Sequence, residues 1–133
     1  MKIYVAGKFE EKDIILETYQ KLEEMGHSVS YNWTTHKNIK PYDKNQGVAS
    51  QYAQNELNGI LNSDIFIYLT NKTGHTLFME FGTALASLKI TGKPQIYAVG
   101  AYNADSTWFF NPSVKRMNTL NEVFRAIATK KKN

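Results

Sequence analysis

Apolar and polar residues follow two different periods along the chain, and their alternation predicts an α/β fold. Three apolar runs have the content of buried strands: residues 2–7 (KIYVAG), 64–70 (DIFIYLT) and 95–100 (QIYAVG). Residues 27–33 (HSVSYNW) alternate as another strand, and residues 113–117 (SVKRM) form a short last one. Because helical patterns separate these runs, we expect a parallel sheet covered by helices.

Four segments have the three- and four-residue spacing of helices that pack on a sheet. They are residues 11–25, 48–61, 76–90 and 119–128. The apolar positions that indicate the first two helices are Ile15, Tyr19, Leu22 and Met25, then Val48, Tyr52, Leu57, Ile60 and Leu61. Gly92 ends the third helix, and Thr119 with Glu122 has the spacing of a capping box at the start of the fourth.

Right-handed crossovers between these elements give a doubly wound five-stranded parallel sheet in the order 2-1-3-4-5. Ligands of such sheets bind beyond the carboxyl ends of the strands. The residues that directly follow each strand are therefore candidates for binding. Two long segments without periodicity, residues 35–47 and 101–112, are expected to be loops at this edge.

Composition narrows the class of protein. The 133 residues suit one domain, which we place at residues 1–129, with a basic tail at residues 130–133. Much of the net charge of +4 lies in that tail, and no recognition motif accompanies it, so a small anion is a better expected partner than nucleic acid. No apolar run reaches a membrane span and no secretory signal is evident. The absence of cysteine fits a cytoplasmic location.

Glu80 is the first candidate for chemistry, because it lies among apolar residues in the stretch GHTLFMEFGT. On a helix, Leu77, Phe81 and Leu85 form one stripe, while Glu80 belongs to another stripe of small or polar residues. Glu80 also falls one turn into the helix that follows the central strand, near the ligand edge. Two interpretations stay open: a carboxylate compensated by backbone N–H groups at the helix start, and a catalytic acid.

Other candidates have an ordinary structural interpretation beside the functional one. Tyr4 in the first strand suits core packing, or a phenol that holds a carboxylate in place. Glu56 suits a solvated helix face. Lys8 could reach an anion at the edge of the sheet, and His75 could donate a hydrogen bond from its turn. The scattered histidines do not indicate a metal site.

Three stretches of the sequence, taken together in their order and spacing, are fairly specific for one protein family. They are residues 2–9 (KIYVAGKF), residues 53–69 (AQNELNGILNSDIFIYL) and residues 74–94 (GHTLFMEFGTALASLKITGKP). Together they resemble the nucleoside 2-deoxyribosyltransferase family, including its relatives that hydrolyse deoxynucleoside 5'-monophosphates. The resemblance covers most of the chain and implies a flavodoxin-like fold.

The resemblance implies roles for the candidate residues. Glu80 matches the nucleophile of the family, and Glu56 matches an acid that contacts or protonates the nucleobase. Tyr4 matches a first-strand tyrosine that orients the nucleophile. The family also implies a homo-oligomer in which a loop of a neighbouring subunit completes the pocket, and here Ser106 or Asn111 would be the donor. The expected substrate contacts are Gly7, Lys8, Phe9, Trp33, Gly74, His75, Ser106 and Asn111.

Two departures from the family keep the substrate open. Transferases often carry another acid shortly before the nucleophile, where this chain has Gly74 and His75. The hydrolase branch grips a 5'-phosphate with serine and arginine around its first glycine, where this chain has Lys8 and Phe9.

The expected function is therefore cleavage of the N-glycosidic bond of a 2'-deoxynucleoside, with transfer to another base and no metal or redox cofactor. The first alternative is a deoxynucleoside 5'-monophosphate N-glycosidase. A second is a non-catalytic nucleotide-binding module. A third is an N-glycosidase of another nucleotide, such as a dinucleotide.

Overall fold

The computed structural model describes residues 1–132 and contains one five-stranded sheet whose strand pairs are all parallel. The strands are β1 (Lys2–Ala6), β2 (Ser28–Val29), β3 (Ile65–Leu69), β4 (Gln95–Val99) and β5 (Val114–Met117). The helices are α1 (Lys12–Glu24), α2 (Gln46–Leu61), α3 (His75–Thr91) and α4 (Leu120–Lys132). The sheet order is 2-1-3-4-5, which confirms the predicted fold. Helix α4 continues through the lysines assigned to a tail.

The three central strands are buried because both of their faces are covered. Every residue of β3 is buried, as its continuous apolar pattern predicts. The register pairs Tyr4 of β1 with Phe66 and Ala6 with Tyr68 of β3. Side chains alternate between faces along a strand, so Tyr4, Phe66 and Tyr68 share one face. Their rings stack in sequence, with centroids 5.9 Å and then 6.5 Å apart.

Strand β2 is shorter than the predicted residues 27–33, and the prediction is wrong beyond Val29. Ser30 donates one further backbone bond to Ile3, after which the chain leaves the sheet. The Asn32 side chain then accepts a hydrogen bond from the backbone of Thr34 and starts a 3-10 turn. This local cap competes successfully with the sheet, because an Asn side chain can replace a backbone partner.

Helix α2 forms where it was predicted, but most of its apolar residues do not face the core. Leu57 and Leu61 are exposed, at 46% and 42%, and Val48 is exposed as well. The buried side of α2 instead carries Gly59 and Ile60, with Glu56 one turn earlier and partly buried. The contact face of α2 is therefore not fully apolar, and the orientation of the helix brings an acid toward the sheet.

Gly59 permits the close approach of α2 to the sheet. A Cβ atom at Gly59 would lie 2.7 Å from Cβ of Tyr31 and 3.1 Å from two ring carbons of Tyr4. Contacts this short require the backbone or the ring to move. The glycine in the sequence NELNGI therefore sets the distance between α2 and Tyr4.

We expect Gly59→Ala to lower the free energy of unfolding by about 1–3 kcal/mol, because the methyl group overpacks a closed contact. Gly47→Ala is the matched control in the same helix, since a Cβ there meets nothing within 4 Å. The control should be neutral or stabilise the protein by up to about 1 kcal/mol. Urea denaturation of both variants measures the difference, and equal effects would contradict the proposed packing role of Gly59.

Helix α3 has the two stripes predicted from the sequence. Leu77, Phe81 and Leu85 are buried against the sheet, while Phe78 and Met79 are exposed. The helix ends at Gly92, whose φ of +88° is a left-handed conformation that favours glycine. The apolar neighbours of Glu80 therefore point in different directions, and Glu80 is not enclosed by all of them.

Candidate active site

Tyr4, Glu56 and Glu80 come together from three different elements. Tyr4 lies in β1 and is fully buried, Glu56 lies on the inner side of α2, and Glu80 lies in the second turn of α3. The charges of both acids raise the pKa of Tyr4, and the charge of Glu56 raises the pKa of Glu80. Two acids from neighbouring helices thus meet beside one phenol of the central sheet.

Glu80 has an unusual proton affinity for a carboxyl group. Burial, followed by the charge of Glu56, raises its pKa from 4.5 to about 8. Burial also raises the pKa of Glu56. Because two like charges in a poorly solvated site repel each other, the pair holds a proton near neutral pH that isolated carboxylates would release. Such a pair is suited to proton transfer and to nucleophilic attack.

The Tyr4 hydroxyl has an opposing effect on Glu80. Its interaction with the carboxylate lowers the pKa of Glu80, although burial and the repulsion by Glu56 outweigh it. The hydroxyl makes no hydrogen bond of ordinary geometry within the described residues, so this contact is a longer electrostatic one. Contacts of this kind often tighten when a substrate is bound. Tyr4 therefore favours the ionised form of Glu80.

A second polar cluster joins the carboxyl ends of β1 and β3. Oε1 of Glu11 accepts a hydrogen bond from the backbone N–H of Lys8 at 2.9 Å and another from Nδ2 of Asn71 at 2.7 Å. The Lys8 ammonium group donates to the Thr73 hydroxyl. Tyr68, which is fully buried, is within electrostatic reach of both Glu11 and Glu80.

Sequence reasoning did not single out Glu11, Asn71 or Tyr68. A signal for Glu11 existed, because an acid at the start of the helix after β1 lies at the edge where such sheets bind ligands. Tyr68 carries a polar group near the end of an otherwise apolar strand, which was a second signal. The Asn71 contact depends on how two distant strand ends meet.

The structure places four of the expected substrate contacts around this edge. Gly7 is packed closely, since a Cβ there would lie 2.6 Å from the Ile15 side chain. Phe9 is 41% exposed. Gly74 adopts a φ of +118° and caps α3, and the exposed His75 is the first residue of that helix. Their contacts with a substrate stay predictions.

Trp33 is held in the core rather than at an open surface. It is 6% exposed, and its indole donates a 2.7 Å hydrogen bond to the carbonyl of Val5. The neighbouring Tyr31 hydroxyl lies 2.5 Å from Nε2 of His36, whose ring stacks on Tyr52 at 3.6 Å. These contacts fix the segment after β2 against α2, which supports one wall of the site.

Ser106 and Asn111 use their side chains within their own loop. The Ser106 hydroxyl accepts a bond from the backbone of Trp108, and the Asn111 side chain accepts one from Ser113. Two open grooves, of about 460 and 400 Å³, separate this loop from α3, and Trp108 contributes to both. Neither groove includes Tyr4, Glu56 or Glu80 in its lining. The expected role of Ser106 or Asn111 concerns the pocket of a neighbouring subunit and stays a prediction.

Among residues 1–132, no group of three or more histidine or acidic side chains is arranged to hold a metal ion. Over the same residues, no helix combines the length and hydropathy needed to cross a membrane.

Comparison with known proteins bears on the fold. No protein-family model matches the chain, and no curated protein is significantly similar to it. Among solved structures, the chain is similar to Clostridium botulinum CMP N-glycosidase, BcmB, with a TM-score of 0.62. The alignment covers 96% of this chain and 98% of that chain at 21% sequence identity. The two proteins share one fold. This agrees with the fold that the family resemblance implied.

Proposed function

We propose that the protein cleaves the N-glycosidic bond of a 2'-deoxynucleoside and transfers the deoxyribosyl group to another base, with Glu80 as nucleophile. The observation that carries this proposal is the meeting of Glu80 and Glu56 beside the Tyr4 phenol of the central sheet. A nucleophilic carboxylate, an acid and an orienting phenol are the groups that this reaction requires. The similar structure is itself an N-glycosidase by name.

The two acids have complementary tasks in the first step. The bond between C1' and the base nitrogen breaks, and its electron pair leaves with the base, which takes a proton from Glu56. The Glu80 carboxylate forms a bond to C1' from the opposite face. Because the raised pKa of Glu80 keeps a proton on Glu80 near neutral pH, this proton passes to Glu56 before the attack. The reactive state then has the proton on Glu56 and the charge on Glu80. Tyr4 favours that distribution, because its hydroxyl lowers the pKa of Glu80.

The second step reverses these roles. A new base attacks C1', the bond to Glu80 breaks, and the proton of the incoming base passes to Glu56. Two displacements at C1' leave the anomeric configuration unchanged. If water attacks instead of a base, the product is free deoxyribose and the reaction is hydrolysis.

A substrate panel tests the proposal. The protein is incubated with deoxyinosine plus adenine, with deoxynucleosides alone, and with deoxynucleoside 5'-monophosphates, and the products are separated by chromatography. Formation of deoxyadenosine from the first mixture is the expected result. Absence of base release from every substrate by the folded protein would overturn the proposal and favour a non-catalytic nucleotide-binding module.

The Glu56→Gln variant tests the leaving-group role. We expect kcat/KM for natural deoxynucleosides to fall by about 10²–10⁴-fold, because glutamine cannot protonate the departing base. A substrate whose leaving group needs no proton, such as a p-nitrophenyl deoxyriboside, should lose far less. Steady-state kinetics of both substrates measure the difference, and an equal loss for both would remove Glu56 from this role.

The alternative function is hydrolysis of the N-glycosidic bond of a deoxynucleoside 5'-monophosphate. It is favoured by the similar structure, which is by name an N-glycosidase of a nucleoside monophosphate, CMP. The panel distinguishes the two, since base release from a monophosphate without transfer to adenine would support the hydrolase.

We also propose that the protein self-associates through α2 and α3. These helices pack against each other and carry exposed apolar side chains, among them Leu57, Leu61, Met79 and Ile90. Exposed apolar surface of this kind is common at contacts between subunits. Light scattering tests the proposal, and a monomer at micromolar concentration would contradict it.

A further inference from the structure

Glu11 lies at the carboxyl ends of β1 and β3, where the chain turns toward opposite edges of the sheet. In the sheet order 2-1-3-4-5, the chain leaves β1 and β3 in opposite directions, and ligands of doubly wound sheets bind in the gap between such strands. Glu11 bridges this gap, because it accepts hydrogen bonds from Lys8 after β1 and from Asn71 after β3. A carboxylate is therefore fixed at the ligand end of the sheet.

The bonds of Glu11 determine what else can bind there. The backbone N–H of Lys8 is a donor that a phosphate could use, and it already bonds to Glu11 at 2.9 Å. Both of the hydrogen bonds that Glu11 accepts go to Oε1, so Oε2 retains its capacity to accept within the part of the chain described. The cluster thus offers a ligand a negatively charged acceptor in place of a backbone donor.

Tyr68 supplies a donor beside this acceptor. Its side chain is fully buried, and its hydroxyl has no hydrogen-bond partner among the described residues. Burial, followed by the charges of Glu80 and Glu11, raises the pKa of Tyr68 to about 12, so the phenol stays protonated. A buried hydroxyl without a partner is costly unless a ligand or a small movement satisfies it.

A phenol donor and a carboxylate acceptor together match a hydroxyl group, which both accepts and donates. A phosphate dianion only accepts and carries a charge of the same sign as Glu11, so its approach is disfavoured. Because Tyr68 is within electrostatic reach of both Glu80 and Glu11, a sugar with C1' at Glu80 can extend its 5' end to Tyr68 and Glu11. We propose that Glu11 and Tyr68 bind the 5'-hydroxyl of the sugar and so select an unphosphorylated deoxynucleoside.

This inference rests on the proposed function, and it names the substrate class of the same site. The Lys8 ammonium group is the main opposing influence, because it lies near the start of α3 and could attract a phosphate. It already donates to Thr73, and its Cε would lie 3.4 Å from a Cβ at Gly74, so it lies over the turn before α3. The attraction of a phosphate by Lys8 is therefore opposed by the repulsion of the same phosphate by Glu11.

The test compares kcat/KM for a 2'-deoxynucleoside, its 5'-monophosphate and its 5'-deoxy analogue. For the wild type we expect a preference of about tenfold or more for the nucleoside over each of the other two. In Glu11→Gln, the ratio of kcat/KM for the monophosphate to kcat/KM for the nucleoside should rise by about tenfold. The charge is lost, while an oxygen remains to accept the bonds from Lys8 and Asn71. Tyr68→Phe should reduce the preference for the nucleoside over the 5'-deoxy analogue.

Two matched variants separate local recognition from general effects. Glu10→Gln removes the same charge from the neighbouring exposed position, and it should leave the substrate ratios within about twofold. Tyr97→Phe removes another buried hydroxyl without a partner, but Tyr97 pairs with Ile67 and so lies on the opposite face of the sheet from Tyr68. It should also leave the ratios unchanged.

A wild-type preference for the monophosphate that Glu11→Gln does not alter would overturn the inference and leave the proposed function in place. An equal effect of Glu11→Gln on all three substrates would also overturn it, since that result indicates a structural role alone. If no substrate is cleaved, the proposed function fails. Calorimetric binding of the nucleoside and the monophosphate to the same variants then still decides the inference, because the same order of affinities is expected.

Discussion

Replacing Glu80 by glutamine is expected to reduce base release from a deoxynucleoside by about a thousandfold or more. Glutamine has nearly the shape of glutamate but cannot form the bond to C1', so the reaction loses its covalent intermediate. The fold should be kept, because a neutral amide is easier to bury than a carboxylate. Steady-state rates and thermal denaturation of the same preparation measure both effects.

The control for this variant is Glu24→Gln, which removes an exposed acid at the end of α1. It should retain the wild-type rate. Rapid quenching of the wild type with substrate should also reveal a mass increase equal to one deoxyribosyl group on a peptide that contains Glu80. Retained turnover in Glu80→Gln, or the added mass on another peptide, would assign the nucleophile elsewhere.

The same substitution is expected to change how stability depends on pH. In the folded protein the pKa of Glu80 is about 8, against 4.5 for an unperturbed carboxyl group. Between these values the folded protein keeps a proton that the unfolded chain releases. The stabilising contribution of this group is therefore complete below pH 4.5 and is lost as the pH rises toward about 8. The loss is on the order of a few kcal/mol, and Glu56 adds to it with the same sign.

Glutamine does not titrate, so Glu80→Gln should become more stable relative to the wild type as the pH increases from 5 to 8. Urea denaturation at several pH values gives the difference in the free energy of unfolding. In Glu10→Gln, which removes an exposed charge, the free energy of unfolding should change with pH as it does in the wild type over the same range. A constant difference between Glu80→Gln and the wild type would mean that Glu80 titrates normally.

The sheet could be predicted from the sequence because its signals are local and strong. The apolar runs of β1, β3 and β4 are too continuous for exposed strands, and the helices between them require parallel pairing. Strand β2 was overestimated because residues 30–33 alternate as a strand does, whereas Asn32 begins a turn through its side chain. That competition between a side chain and the sheet is not visible in hydrophobic periodicity.

The orientation of α2 could not be predicted from periodicity either. Leu57 and Leu61 contribute to the apolar spacing that indicates the helix, yet both are exposed, and the buried side contains Gly59. A glycine adds nothing to an apolar pattern, although it allows the closest approach between helix and sheet. The meeting of Glu56 with Glu80 therefore followed from the family resemblance and not from the pattern of α2 itself.

The sequence indicates some residues of the candidate site more directly than the polar residues that surround them. Glu80 and Tyr4 could be proposed because each occupies an informative position in one element. Glu11 has only a positional signal in the sequence, because its importance depends on bonds to Lys8 and Asn71, and Asn71 is 60 positions away along the chain. Contacts between distant strand ends depend on register and side-chain conformation, which a single sequence does not specify.

The Tyr4 side chain also meets both of the helices that carry the acids. Its edge lies against Gly59 of α2, at 3.1 Å from the place of a Cβ, and its hydroxyl faces Glu80 of α3. One side chain of the sheet therefore meets both of the helices that carry the acids. A change of the residue at position 4 alters the surroundings of the leaving-group acid and of the nucleophile at once.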